Sequence, residues 1–332
     1  MAKKNIVPPG LSYLADNIID KQNVLGASKA EGARWAKGLG LPAEAETVFY
    51  AGCGYQYSNH LECLMSLIRK LDKSSLGAEL PMSLANLQKK LGVDLGTIYR
   101  TVFSRADRGQ PLVDMVKVLI KFGLKFGYLA GNEPCCGAPL YYIGMESRFS
   151  QNAQLLKGQL ESSGVKNIIS VVPSCTHALR TLIPKHTSDF KVNVKHFLEV
   201  VDERIPEMEL RFPEKTRVTY HDPCQLARYL EIIEPPRRIL KSIQNLELLE
   251  AENSGQWATC CGGGGGFEAV FPEFSQVLAT NRARELVETG AEIIVTHCPG
   301  CIMQLKEGLK ELKADGVKVL DLAQILLISM EG

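Results

Sequence analysis

The chain has 332 residues, of which 45% are hydrophobic, and its formal net charge is +1. This length is sufficient for two domains of ordinary size. The near-zero charge argues against a surface dedicated to nucleic acid or to anionic membranes. We therefore expect a globular protein that binds no nucleic acid.

Ten cysteines occur in a chain whose first residues do not read as a secretory signal. In a reducing compartment, metal binding or catalysis explains cysteines better than disulfides do. The longest apolar run near the end, Ile325–Ile328, is far too short to span a bilayer. The sequence thus predicts a cytoplasmic protein that could reach a membrane only through a partner.

Residues 1–45 are predicted to form a helical arm. Leu11–Asp20 and Glu31–Gly38 read as short helices. A solvated linker is the alternative, but the apolar side chains of Trp35 and Leu39 indicate that the arm packs on the rest of the chain.

From Glu46 onwards, short β-branched or aromatic runs alternate with helical periodicity, as in Phe274–Thr289 and Met303–Leu312. This alternation predicts an α/β fold with small parallel sheets flanked by helices. The strand candidates are Thr47–Ala51, Leu124–Leu129, Asn167–Val172, Lys191–Val194, Arg217–Tyr220, Leu246–Leu249, Glu292–Thr296 and Val317–Leu320.

A helical insertion is predicted at about residues 58–110. Within it, Ser83–Arg100 has the pattern of a helix-turn-helix. A DNA reader would need a basic recognition face, and this segment has only a weak basic excess. Two helices packed over a neighbouring sheet explain the pattern equally well, so the pattern alone does not predict DNA binding.

The cysteines of the C-terminal half follow a dense pattern. Cys224 is followed after 35 residues by the pair Cys260-Cys261, and after 36 more residues by Cys298-Pro299-Gly300-Cys301. Behind the pair lies the glycine run Gly262–Gly266, whose missing Cβ atoms let the backbone approach a ligand closely. The run lacks the lysine ending of a phosphate loop and does not fit the dinucleotide fingerprint.

The N-terminal half repeats this pattern incompletely, with Cys53, the pair Cys135-Cys136, and Cys175. Cys136 lies 39 positions before Cys175, and Cys261 lies 37 positions before Cys298. We read the chain as a tandem duplication, with halves at residues 46–210 and 211–332 related by a pseudo-two-fold. On this spacing Cys175 corresponds to Cys298, and Ala178 replaces the last thiol.

The five thiols of the second half predict an iron–sulfur site. A zinc ion needs four ligands, and an ordinary cubane cluster also needs four thiolates. A fifth thiol therefore indicates an unusual cluster or a spare sulfur that takes part in chemistry. Buried structural cysteines around a glycine turn are the alternative, and the matched spacing of two halves argues against it.

The four thiols of the first half fit zinc or a more conventional cluster. His177 is a candidate additional ligand, although a lone histidine more often caps a helix or lies at the surface. His221 and His297 flank ligand candidates, and either could supply protons or hydrogen bonds near neutral pH. Packing beside the ligands is the plainer role for both.

These motifs resemble the cysteine-rich CCG domains of heterodisulfide reductase B- and D-type subunits and of related quinone-linked oxidation subunits. The matching segments are Tyr220–Cys224, Cys260–Gly266 and His297–Cys301, together with the entry segment Asn23–Pro42. The resemblance covers nearly the whole chain apart from the insertion.

The resemblance implies that Cys224, Cys260, Cys261, Cys298 and Cys301 hold a noncubane [4Fe–4S] cluster that reduces a disulfide. In some relatives the first motif holds zinc or a standard cluster instead. No Cys-x-x-Cys-x-x-Cys run occurs here, so electrons are expected from a ferredoxin-like iron–sulfur subunit or a flavoprotein subunit. Gln225 stands where the D-type pattern often has histidine.

The resulting hypothesis is a disulfide oxidoreductase subunit of an anaerobic redox complex. The rival hypothesis is a pure electron-relay or docking subunit of a flavoprotein- or quinone-linked complex. A zinc-stabilised scaffold remains an alternative mainly for the first half.

Overall fold

The computed structural model describes residues 9–72 and 109–331. The predicted helix-turn-helix at 83–100 and most of the predicted insertion lie outside these residues. Within the described part, none of the helices combines the length and the apolar character that crossing a bilayer requires.

Two parallel β-sheets form the centre of the fold. One sheet has three strands in the order β1-β2-β3, and the other has four in the order β5-β4-β6-β7. Parallel strands are joined by helical crossovers that cover both faces, so the predicted α/β class is confirmed. The strands are β1 Thr47–Tyr50, β2 Asn167–Ser170, β3 Asn193–His196, β4 Leu210–Tyr220, β5 Ile243–Leu249, β6 Ile293–Thr296 and β7 Lys318–Asp321.

Helices surround both sheets and supply much of the buried apolar surface. Short 3₁₀ turns lie at Arg34–Ala36, Ala130–Asn132, Ile205–Glu207 and Gly255–Trp257, and π-helical turns at Ala178–Leu182 and Gln225–Tyr229. The α-helices are Pro9–Lys21, Lys29–Gly32, Gly52–Gln56, Ser58–Asp72, Gln110–Lys121, Ala138–Tyr142, Glu146–Ser162, Pro173–His177, Ile183–His186, Phe197–Asp202, Glu234–Ser242, Phe267–Val270, Pro272–Val287, Pro299–Leu312 and Leu322–Glu331.

The predicted strand Leu124–Leu129 is wrong as a strand, because it makes only an isolated bridge between Val48 and Gly127. Phe49 N donates to Gly127 O at 2.8 Å, but the next residue, Tyr128, already donates to Pro42 O instead. A Cβ at Gly127 would lie 2.6 Å from the same Pro42 oxygen. The entry segment therefore crosses the edge of β1 where a longer strand would have paired.

The two sheets repeat one arrangement. In the first, Thr47 pairs with Asn167 across β1 and β2; in the second, Val218 pairs with Ile293 across β4 and β6. Each second strand then pairs with a third, β3 or β7. The bridge at Gly127 takes the place of β5, so the predicted duplication is confirmed.

The halves contact each other reciprocally. The helix after β2, Pro173–His177, contacts the turn after β4, Gln225–Tyr229. Correspondingly, the helix after β6, Pro299–Leu312, contacts the helix after β1, Gly52–Gln56. Such an exchange of equivalent contacts is what a two-fold relation produces. It brings the carboxyl ends of the two sheets towards each other.

The N-terminal arm packs against the first sheet, as expected from its apolar side chains. The Trp35 side chain is buried, its ring lies 4.8 Å from that of Tyr128, and its Nε1–H donates to the Tyr128 hydroxyl at 3.1 Å. The first predicted helix is longer than expected, at Pro9–Lys21. The second is split by Ala33 into a short α-helix and a 3₁₀ turn.

Candidate metal centres

Most of the motif cysteines follow the carboxyl ends of parallel strands. Cys53 follows β1 and Cys175 follows β2, while Cys224 follows β4 and Cys298 and Cys301 follow β6. In parallel sheets these ends lie at one edge, where ligand sites are usually built. The two Cys-Cys pairs enter the same edges from loops. The fold therefore collects the thiols of each half at the junction of the halves.

In the second half, the structure brings all five predicted thiols together. The Sγ atoms of Cys261 and Cys301 lie 3.2 Å apart, and after the Cys261 thiol, the Cys298 thiol is one of the neighbours that raise the pKa of Cys301. Burial, followed by the nearby thiols of Cys298 and Cys261, raises the pKa of Cys224 to about 11. Gly262 N donates to the Cys260 sulfur at 3.3 Å. Their roles as ligands stay predictions.

The second thiol set favours negative charge on one sulfur. Hydrogen bonds from Cys260 and Cys301 lower the pKa of Cys261 well below its usual value, and the His221 imidazole adds to this effect. Hydrogen bonds with Cys261 and Cys298 raise the pKa of Cys301. A buried thiolate is a soft anionic ligand, suited to iron or zinc.

The glycine run has a different structural basis from the one predicted. Gly262 has φ +82°, and a Cβ there would lie 2.5 Å from Ser275 O in the neighbouring helix. At Gly264, with φ +103°, a Cβ would meet no described atom within 4 Å. The run therefore serves helix packing at Gly262 and leaves an open approach only near Gly264.

The first half also gathers its four predicted thiols. Cys53 and Cys135 Sγ atoms lie 3.9 Å apart, and those of Cys136 and Cys175 lie 3.1 Å apart. The hydrogen bond with Cys135, followed by burial, raises the pKa of Cys53 well above its usual value. Four thiols, of which Cys53 is partly exposed and the other three are buried, are a donor set suited to a tetrahedral metal ion or to a conventional cluster.

The strand registers correct the predicted correspondence between the halves. Superposing the Thr47–Asn167 pair on the Val218–Ile293 pair aligns Cys53 with Cys224, each six positions after the first residue of its pair. Eight positions after the second residue lie Cys175 in one half and Cys301 in the other.

Cys175 thus corresponds to Cys301 and not to Cys298, so the predicted match was wrong. Both residues follow a proline that begins a helix, and both contact the second thiol of the Cys-Cys pair, at 3.1 and 3.2 Å. The position of Cys298 is occupied by Val172, and Ala178 is not the missing ligand.

His177 lies at the contact between the halves. Its Nδ1 is 2.8 Å from the Tyr142 hydroxyl, and its ring centroid is 4.9 Å from that of Tyr229. The Tyr142 hydroxyl also donates to Gln225 Oε1 at 2.9 Å. The ligand role of His177 stays a prediction, and these contacts do not favour it.

Two buried charged groups beside the second set were missed from the sequence. Arg282 is fully buried and its Nε donates to His221 Nδ1 at 3.1 Å. Asp321 Oδ1 pairs with His297 Nδ1 at 2.8 Å, and the Tyr55 hydroxyl of the first half donates to Asp321. Arg282 shares the buried face of its helix with Ala279. A charged residue on the apolar face of a predicted helix was therefore the sequence feature that could have identified Arg282.

The chain matches the family model described as a cysteine-rich domain, CCG, at residues 101–180 and 218–306. These two matches together cover just over half of the chain. The family pattern thus occurs twice, once in each half of the fold.

Several curated proteins are similar to this chain. The D-type subunit of the dihydromethanophenazine:CoB–CoM heterodisulfide reductase of Methanosarcina acetivorans is 30% identical over 226 residues, which are 65% of this chain and 55% of that protein. EtfAB:quinone oxidoreductase of Syntrophomonas wolfei is 32% identical over 228 residues, 65% of this chain and 31% of that protein.

The B-type subunit of the CoM/CoB fumarate reductase of Methanothermobacter marburgensis is 31% identical over 216 residues, covering 64% of this chain and 42% of that protein. The chain therefore spans about half, or less, of the length of these relatives. Among solved structures, a hypothetical protein from Helicobacter pylori has a TM-score of 0.50 at 17% identity, over 67% of this chain and 46% of that one. This likeness concerns the fold alone.

Proposed function

Because this chain belongs to the CCG cysteine-rich domain family, we propose that it is an iron–sulfur oxidoreductase subunit that reduces a disulfide. The observation that carries the proposal is the gathering of five thiols where β4 and β6 end. The proposed ligands of a noncubane [4Fe–4S] cluster are Cys224, Cys260, Cys261, Cys298 and Cys301.

The donor set fits such a cluster chemically. All five donors are sulfur, and thiolates are the usual ligands of iron–sulfur clusters. The low pKa of Cys261 supports an anionic ligand at that position. A single zinc ion would use four of the five thiols, whereas a larger inorganic group can use all of them.

When bound, the cluster would supply electrons to a substrate sulfur, so that a disulfide, two electrons and two protons give two thiols. Tyr142 is placed to assist a substrate, because its hydroxyl lies between His177 of the first half and Gln225 beside Cys224. Burial raises the pKa of Tyr142, and the thiols of Cys136 and Cys175 raise it further. The phenol therefore stays protonated, and its single O–H, which Gln225 accepts in the structure, can turn to donate to a developing thiolate instead.

For the first half we propose zinc or a second iron–sulfur cluster on Cys53, Cys135, Cys136 and Cys175. The register supports this difference from the second half, because Val172 stands where the fifth thiol would be. A four-thiol set is complete for either group.

The proposed electron donor is a ferredoxin-like iron–sulfur subunit or a flavoprotein subunit. The names of the similar proteins support a redox complex, since they include a heterodisulfide reductase subunit and an EtfAB:quinone oxidoreductase. The name EtfAB:quinone oxidoreductase also supports the alternative function, an electron relay towards quinone without disulfide chemistry. We also propose the boundaries 1–45, 46–210 and 211–332 for the arm and the two domains.

An anaerobic preparation tests the proposal through its iron, zinc and acid-labile sulfide content, together with electron paramagnetic resonance and disulfide-dependent oxidation of a reduced viologen. We expect iron and sulfide, an EPR signal and turnover. Zinc without sulfide would contradict the cluster. A cluster without turnover on a panel of disulfides would favour the relay.

Two serine variants and a control assign the signal to a half. Cys261→Ser should abolish the signal of the noncubane cluster and the turnover, because serine is a weaker ligand for iron than thiolate. Cys63→Ser, outside both thiol sets, should leave both unchanged. If Cys175→Ser abolishes turnover while Cys261→Ser does not, the assignment of the two halves is reversed.

A further inference from the structure

His221 is buried beside the second thiol set. Its side chain is about 1% exposed, and a ring nitrogen lies within 4.8 Å of the Sγ atoms of both Cys261 and Cys301. The other polar contact of the ring is with Arg282, and Nε2 has no hydrogen-bond partner in the described chain. A buried ring nitrogen without a partner is costly, so its position beside two sulfurs needs a chemical reason.

Arg282 fixes the tautomer of this imidazole. Its Nε donates to His221 Nδ1 at 3.1 Å. A guanidinium has only donors, so Nδ1 must present its lone pair, and the proton of the neutral ring resides on Nε2. Arg282 is itself held by Nη1, which donates to Asn253 O at 2.9 Å and to Glu285 at 2.7 Å.

The anchor of Arg282 leads back to the thiol loop. Glu285 also accepts a hydrogen bond from the hydroxyl of Thr259, at 2.8 Å, and Thr259 immediately precedes Cys260. The same network thus ties the orientation of the imidazole to the segment that carries the Cys-Cys pair.

These contacts decide between two roles for His221. A metal ligand needs a free lone pair, but the lone pair of Nδ1 is engaged by Arg282 and Nε2 carries the proton. We infer that His221 is not a ligand but is placed to donate its Nε2–H to the Cys261–Cys301 thiolate pair once the proposed cluster is bound, with Arg282 as the positioning residue. This inference rests on the proposed function, because it concerns the cluster proposed for those thiolates.

The first half lacks this donor. The strand registers place Tyr50 at the position of His221, and its hydroxyl donates to the Pro134 carbonyl. The Cys136–Cys175 pair therefore receives no N–H from this position. Hydrogen bonds to ligand sulfurs stabilise the added negative charge of a reduced cluster and raise its reduction potential. The inferred donor would thus raise the reduction potential of a cluster on the second set, and Tyr50 supplies no equivalent N–H to the first.

The test compares substitutions at the two equivalent positions. His221→Phe removes the N–H and keeps a ring, His221→Gln keeps an N–H donor, and Tyr50→Phe is the matched control in the first half. Iron and sulfide content is measured first, followed by an EPR-monitored redox titration of the second-half cluster.

We expect the midpoint potential to shift downwards in His221→Phe, by less in His221→Gln, and not at all in Tyr50→Phe. Arg282→Met, which releases Nδ1, should also lower it. An unchanged potential in His221→Phe at full iron content overturns the inference while the proposed function stands. Wild-type protein without iron and sulfide overturns the proposed function, and the inference with it.

A spectroscopic measurement decides the matter even if His221→Phe loads no cluster. Pulsed EPR on wild-type protein with ¹⁵N-labelled histidine should show only the weak nitrogen coupling of a hydrogen-bonded imidazole. A strong coupling typical of a directly bound nitrogen that is present in wild-type protein and in His177→Gln but absent in His221→Gln would identify His221 as a ligand and refute the donor role.

Discussion

Val172→Cys should create a fifth thiol in the first half. Val172 is buried, and its side chain lies beside Gly52 and Gly54, the residues on either side of Cys53. A Cβ at Gly52 would lie 2.9 Å from both the Val172 side chain and the Cys175 sulfur. A sulfur at position 172 would therefore point to the same place as the existing thiols.

The substitution removes about one methyl group from a packed site, which costs about 1 kcal/mol of unfolding free energy. The matched control is Ala178→Cys, at the position that residue counting along the chain assigned to the missing ligand. Ala178 is fully buried, so an added sulfur there overpacks the core and costs roughly 1–3 kcal/mol.

Chemical denaturation under anaerobic conditions measures both costs, and iron, sulfide and EPR after reconstitution measure the sites. We expect Val172→Cys to change the metal content or the EPR spectrum of the first half towards that of the second. Ala178→Cys should leave both unchanged. If only Ala178→Cys alters the first site, the register-based correspondence of Cys175 with Cys301 is refuted.

Three further results are expected. Gly262→Ala should lower the unfolding free energy by roughly 2–5 kcal/mol, because left-handed backbone strain adds to the overlap of the new Cβ with Ser275 O. Gly264→Ala should lower it by roughly 1–2 kcal/mol, because only the backbone strain applies there. Equal losses for the two variants in chemical denaturation would contradict this expectation. Burial, followed by the His297 imidazole, lowers the pKa of His196 well below its usual value, so the unfolded state binds the extra proton. The contribution of His196 to the unfolding free energy should fall as pH drops below about 6.5, by up to about 1.4 kcal/mol per pH unit. His196→Asn should remove this contribution to the pH dependence, and identical pH dependence in the variant and the wild-type protein would count against the prediction. Tyr142→Phe should lower disulfide turnover with unchanged iron content, and equal turnover would exclude the phenol from the reaction.

The sequence was sufficient to predict the class of fold and to predict which five cysteines gather in the second half. Alternating short strands and helices predicted parallel sheets, and the recurrence of Cys-Cys-Gly at residues 135–137 and 260–262 predicted the duplication. These features are local, since strand periodicity and motif composition are properties of neighbouring residues. The strand prediction for Leu124–Leu129 was wrong because the entry segment at Pro42 crosses the edge of β1 with which this strand would have paired. No local sequence pattern indicates that crossing.

Only the tertiary structure decided which residues of the two halves correspond. Counting along the chain matched Cys175 with Cys298, because separations of 39 and 37 positions look alike. The register of parallel strands, fixed by backbone hydrogen bonds, matches Cys175 with Cys301 instead. The contact of Arg282 with His221 is also a tertiary fact, since 61 positions separate the two residues. A side chain's partner across the fold is set by how helices and sheets pack, and the sequence alone does not specify that geometry.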